Sequence, residues 1–200
     1  MTITNYTNLQ STITDFLNRD DMSVIVPTLI QLAEEDMTAK IKHWRLENRA
    51  TAQVDGRYSA LPADFKSPIR LHIEGAYASL DPISPSIMQD KRMANNDTTA
   101  RPTSFAITQG ELELFPTPDQ TYDLEMYYHA RLPALSAQNP TNAILTYFPS
   151  AYLYGALAHS APYLREDPRL AVWTPLYQNA ISAINADSDH PNTPLSLIHI

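Results

Sequence analysis

Twice along this chain the spacing of apolar residues changes period, near Leu46 and again near Thr141, and these switches constrain the fold more than any motif. Before the first switch, Leu9, Ile13, Phe16 and Leu17 recur at helical spacing and predict a helix over about Asn8 to Asn18. Asn18-Arg19-Asp20-Asp21 breaks it, and either Asp20 or Asp21 stands where it can cap a second helix running to about His43 or Trp44. Pro27 falls in the first turn of that helix, where a missing N–H costs little. Ile30, Ala33, Met37, Ile41 and Trp44 form its buried stripe, while Glu34, Glu35, Lys40 and Lys42 lie mostly outside it. Because consecutive helical residues point different ways, Glu34-Glu35-Asp36 reads as a solvated face and not as paired acid and base.

Between the switches the period is two. Ala50–Val54 and Tyr58–Leu61 flank Asp55-Gly56, a turn pair that predicts a hairpin. Leu61-Pro62-Ala63-Asp64-Phe65 makes a compact turn, and Ile69, Leu71 and Ile73 then alternate with Arg70, His72 and Glu74 as a half-buried strand. Leu80–Ile83 is a further short strand, Ser84-Pro85 starts a short helix to about Ala94, and Asn95–Thr103 is a surface loop. Phe105 and Ile107, then Leu112 and Leu114, alternate on two strands joined at Gln109-Gly110. Tyr122, Leu124, Met126 and Tyr128 mark a third strand, and Leu132–Pro140 is a connector.

Helix returns at about Thr141. The main segment, Ser150 to Leu164, carries Gly155, Ala156, Ala158, Ser160 and Ala161, small residues that let a neighbour approach closely. Pro162 should kink it or end it early. Asp167-Pro168 starts the last helix, with Asp167 as cap and Leu170, Trp173, Tyr177, Ala180, Ile181 and Ile184 as its apolar face. The expected class is α+β: terminal helices forming one helical bundle layer, residues 1–45 with 140–190, and a β-rich inserted body, residues 46–139. The last six residues, Leu195–Ile200, resemble the in-frame translation of a transposon-derived sequencing adapter; this non-native tail is left out of the fold expectation.

Several kinds of chemistry lack their residues. The absence of cysteine removes disulfides, thiolate catalysis and cysteine-based zinc sites. Four glycines, at Gly56, Gly75, Gly110 and Gly155, cannot build a glycine-rich phosphate loop, and no G-x-S-x-G occurs. His72 and His129 are placed to meet across strands, but no histidine pair has zinc-helix spacing, so no metal, catalytic residue or cofactor is expected. Glu111 and Glu113 share one strand face, read as the wet side of a sheet. A net charge of −8 argues against a duplex-binding surface. No apolar stretch is long enough to cross a bilayer and the N-terminus does not read as a signal peptide, so a cytoplasmic origin is the default.

Aromatic residues are the more useful surplus. Trp173 and Tyr177, four residues apart, read as core. Tyr152 and Tyr154 point about 200° apart on one helix, so at least one faces solvent or a neighbour. Tyr147, Tyr152, Tyr154 and Tyr163 are therefore the candidate subunit or partner interface.

One family shares the order and spacing of these features. Leu61-Pro62-Ala63-Asp64-Phe65, GELELFPTPD from Gly110 to Asp119, Tyr127-Tyr128, Leu132-Pro133, Leu135-Ser136 and Asn139–Asn142 come first. Tyr152–Leu157, Asp167-Pro168-Arg169 and Trp173–Tyr177 complete the set, which covers most of residues 8–187. Together they resemble the phage head-to-tail adaptor (connector) family, similar in part to tail tubular protein A of short-tailed phages. The resemblance implies a structural virion protein with an α-helical and a β-rich part, no catalysis and no cofactor. It implies a homo-oligomeric ring, commonly twelvefold, between the portal protein and a downstream tail or nozzle protein, with transient non-specific contact to passing DNA. It also implies synthesis in the host cytoplasm and no membrane partner. Two other readings stand beside it: a small-ligand, carbohydrate or peptide-binding module, and a hydrolase using carboxylates of the β insert.

Overall fold

The computed structural model describes residues 2–164 and 167–192, so the expected foreign tail at 195–200 lies outside the described residues. The chain divides into two compact units, one made of the chain up to Leu46 together with the chain from Leu132 onward, the other of Glu47–Arg131. The first is helical and the second is β-rich, an α+β protein.

In the helical unit, Asn5 caps α1 (Tyr6–Leu17) by accepting from the Asn8 N–H at 2.9 Å, and Asn18 ends it in the left-handed region at φ 53°. A single 3-10 turn, Asp20–Met22, separates it from α2 (Val26–Lys40). The expected aspartate cap does not form. Ile25 occupies the cap position of α2 without a side-chain hydrogen bond, and Asp21 pairs with Arg19 instead. Helix α2 also stops three or four residues early. Asn185 Oδ1 accepts from the Lys42 N–H and Ser188 Oγ from the Trp44 N–H, so side chains take bonds that further helix would have used.

After the connector come α4 (Ala143–Tyr147), capped by Asn142, then α5 (Pro149–His159) and α6 (Leu170–Asn192). Pro162 lies in a 3-10 turn, Ala161–Tyr163, beyond the end of α5, as its missing N–H requires. Helix α6 begins two residues after Pro168, yet Asp167 still serves its entry, its Oδ1 accepting from the Arg169 N–H at 2.9 Å. The core draws Leu9 and Ile13 from α1, Ile30 and Met37 from α2, Tyr152 and Leu157 from α5, and Trp173 and Ile184 from α6. Leu132 and Leu135 of the connector belong to the same core. The small-residue face of α5 is used as its sequence suggests: a Cβ on Gly155 would lie 3.0 Å from the Tyr177 ring and 3.1 Å from the Ala33 Cβ.

The β-rich unit holds two sheets. One has the order β1 (Glu47–Val54), β7 (Tyr122–Ala130), β3 (Phe65–Ile73); the other has β2 (Tyr58–Ala60), β6 (Glu111–Phe115), β5 (Ser104–Thr108), β4 (Asp81–Pro82). Both supply one core that includes Val54, Leu71, Phe105, Leu114, Leu124 and Met126. Helix α3 (Pro85–Ala94) packs beside β5 and begins where Ser84 accepts from the Ile87 N–H.

Gln109 and Gly110, at φ 52° and 84°, turn β5 tightly into β6. The hairpin expected at Asp55-Gly56 is absent. Val54 pairs with Tyr122 in one sheet and Tyr58 with Glu113 in the other, so this turn carries the chain between sheets and Gly56 has no positive φ. Ile69 also departs from its expected inward place. A bulge between Pro68 and Arg70 makes it the extra residue, and it is 46% exposed.

Candidate functional site

In the helical unit the least expected chemistry is buried. Glu34, read from sequence as solvated, is 6% exposed on α2. Its Oε1 accepts from the Leu135 N–H at 2.7 Å and from the Tyr152 hydroxyl at 3.0 Å. The Tyr152 hydroxyl in turn accepts from Asn142 Nδ2, which also donates to the Pro133 carbonyl at 2.8 Å. Asn142 Oδ1 caps α4 through the Leu145 N–H. One carboxylate thus ties the connector to three helices. Burial pushes the Glu34 carboxyl above its ordinary range, against the two hydrogen bonds that pull it down. Burial and the nearby Glu34 charge push the Tyr152 phenol up strongly, so it is a hydrogen-bonding hydroxyl and not an acid.

This network decides the place of one candidate interface residue. Tyr152 is 0% exposed and belongs to the core of its own chain, where it can touch no partner. Tyr154 is half-buried against that core, while Tyr147 and Tyr163 are 56% and 42% exposed. Tyr163 borders an open groove with Arg19, Asp167 and Arg169, and Arg169 donates to the carbonyls of Phe16 and Leu17. Tyr147 lies elsewhere, its ring over the guanidinium of Arg45, 3.8 Å from centroid to Cζ. The four tyrosines are therefore not one patch. Trp44, expected in the buried stripe, is 37% exposed, and its ring centroid lies 4.1 Å from the Arg45 Cζ. No spacing in the sequence pairs Arg45 with Tyr147, because a fold contact brings them together.

In the β-rich unit, Glu111 is exposed as expected, but Glu113 is 4% exposed and not on a wet face. Helix α3 covers that position and delivers Arg92, whose Nε lies 3.0 Å from Glu113 Oε1; Arg57 Nη2 approaches the same oxygen at 2.8 Å. Arg92, itself 4% exposed, also donates to the Leu114 carbonyl and Thr117 Oγ1 and pairs with Asp97. A carboxylate held by two guanidiniums is a structural clamp. His72 and His129 do not meet, because β7 sets His72 opposite Glu125 and His129 opposite Ser67. His72 Nε2 lies 2.9 Å from Glu125 Oε2. Among the described residues no group of three metal-ligating side chains is gathered.

The two buried carboxylates among the described residues, Glu34 and Glu113, are each held by partners inside their own unit of this α+β protein. The chain belongs to the SU10 adaptor protein family, which matches residues 4–196 and so spans both units. That makes it a phage adaptor with a structural role in the virion. No curated protein matches the chain. No described helix is long and apolar enough to cross a membrane.

Proposed function

We propose that this chain forms a homo-oligomeric ring, commonly twelvefold in such proteins, beneath the portal and continues the DNA channel toward the tail, in the manner of tail tubular protein A. The observation that carries this reading is the adaptor family match across 4–196. The ring contacts the portal protein above and a tail or nozzle protein below, and DNA passes it with only transient contact. A net charge of −8 suits such a channel, since acidic walls repel phosphates and leave the DNA mobile. Tyr147, Tyr154 and Tyr163 supply the side chains for subunit or portal contacts. The hydrolase reading has one carboxylate of the β insert fewer to draw on, because Glu113 is already paired with two arginines.

The test is to mix the purified protein with portal rings and image the complex by electron microscopy. An added ring at the portal mouth is the expected result. Folded protein in excess that leaves the portal bare overturns the reading.

A further inference from the structure

The two sheets of the β-rich unit share their flanks: β1 and β2 are the edge strands on one side, β3 and β4 on the other. The β1–β2 flank is not closed. Ala50 and Ala52 stand opposite Met126 and Leu124, on the face that supplies the core, and side chains this small leave the space toward β2 unfilled. An open groove of about 310 Å³ remains, walled by Leu61, Pro62, Leu112 and Met126 and bordered by Thr51 and Ser59. It stands at the small end of binding sites, with room for one side chain of a partner. Its rim also carries unused backbone. The Glu74 N–H donates to the Asp123 carbonyl at 2.8 Å, so Asp123 and Glu125 bond toward β3, and Leu124 and Met126 toward β1. Their partners are Ala52 and Ala50; Thr51 between them turns its N–H and C=O away from β7, where the sheet has no further strand.

On the opposite flank one aromatic side chain is wholly uncovered. Tyr77, in the turn that leaves β3, is fully exposed, whereas the next most exposed of the described Tyr, Trp and Phe residues, Tyr147, is 56% exposed. Only Tyr77 therefore has its entire ring free to enter a pocket. The turn that carries it is braced at both ends. Gly75 takes a φ of 72°, the Ala76 N–H donates to the Ile73 carbonyl at 2.9 Å, and Ala76 packs against the core. Ser79 and Leu80 then come back along the outer side of β3, bridging His72 and donating to the Leu71 carbonyl. A tyrosine held out on a fixed turn loses little freedom on docking.

We propose that the Tyr77 side chain of one copy seats in the β1–β2 groove of a second copy. The ring suits the apolar wall and the hydroxyl reaches the polar rim, a division that an aliphatic side chain does not offer. Ring and groove lie on opposite flanks of one unit, so a chain cannot fill its own groove, and a second copy supplies the partner for each. Opposite flanks also keep two copies from exchanging tyrosines across one two-fold contact. Each copy gives on one side and receives on the other, the head-to-tail pattern that closes into a ring. The contact is neutral and needs no complementary charge between chains that each carry −8. This inference rests on the ring reading above and supplies one of its contacts.

The experiment uses the full chain assembled on portal rings. Tyr77→Ala should lower occupancy of the added ring at least about tenfold at equal concentration, with an unchanged melting temperature. The chain has no cysteine, so thiols can be placed singly. Ala78→Cys and Thr51→Cys, both at exposed positions, leave Tyr77 and the apolar wall in place. Rings built from equal parts of these two variants and treated with a short bismaleimide should give cross-links from position 78 of one copy to position 51 of another. Normal ring occupancy with Tyr77→Ala overturns the proposal. So do Ala78→Cys copies that link only to portal peptides or to no second copy, and each of these results leaves the adaptor ring standing. A wild-type chain that forms no ring on the portal overturns both readings.

Discussion

Glu34→Ala would leave two buried donors without an acceptor, the Leu135 N–H and the Tyr152 hydroxyl. Each stranded donor costs about 1–3 kcal/mol. Part of that is offset, because wild type holds at neutral pH a carboxylate whose protonated form burial favours. The expected net loss is about 2–3 kcal/mol. Glu34→Gln keeps an acceptor oxygen and removes the charge, so it should cost little at any pH. The folded carboxyl titrates above its unfolded value near 4.3, so the stability from this site is complete below about pH 4 and falls as pH rises through the raised value. The difference between Glu34→Gln and wild type should therefore open in favour of the variant from about pH 4 toward neutrality. Urea unfolding followed by helical circular dichroism at both ends of that range measures it. Hydrogen exchange at the Leu135 amide gives a local readout, with protection lost in Glu34→Ala and kept in Glu34→Gln. Glu34→Ala within about 0.5 kcal/mol of wild type, or a gap that closes as pH rises, would refute the reasoning.

Three further outcomes follow from the packing. Arg92→Ala, which leaves Glu113 and the Leu114 carbonyl short of a partner, should destabilise the β-rich unit by about 3–5 kcal/mol, read by urea unfolding of tryptophan-independent strand signals. Gly155→Ala should gain up to about 1 kcal/mol of helix propensity and lose more to overpacking against Ala33 and Tyr177, lowering the melting temperature. The Tyr177 ring cannot swing away freely because its hydroxyl donates to Asp36 at 2.7 Å. Asp167→Ala should lower the thermal midpoint by loosening both the first turn of α6 and the Arg169 side chain, and Asp167→Asn should retain most of the midpoint.

Where one short segment decides its own conformation, the sequence was readable. Ser84-Pro85 started α3 and the helix ended at Ala94 as expected; Gln109-Gly110 made its tight turn; Pro162 stopped α5. The failures were of another kind. Asp55-Gly56 has hairpin chemistry, but the partners of β1 and β2 arrive from Tyr122–His129 and Glu111–Glu113, and pairing at that distance overrides a local turn preference. Glu34 and Glu113 look solvated because a charge in a periodic pattern marks the wet face. Their neutralising partners, the Leu135 N–H, Tyr152, Arg57 and Arg92, lie far along the chain and leave no local trace. The candidate tyrosines divided for the same reason. Tyr152 met Glu34 and Asn142 and went inside, while Tyr147 and Tyr163 stayed at the surface.

The helical unit is assembled from both ends of the chain, with all of Glu47–Arg131 synthesised between its halves. On the ribosome, α1 and α2 emerge first with Leu9, Ile13, Ile30 and Met37 incompletely covered, since both helices pack against α5, which in turn packs against α6. The β-rich unit, by contrast, has every strand it needs once Arg131 has left the exit tunnel. The middle of the polypeptide can therefore finish folding while the beginning still waits, exposed, for the end. A nascent chain released before α6 is made would carry a complete β-rich unit on an open helical core, and that is the species a chaperone or a protease in the infected cell would meet.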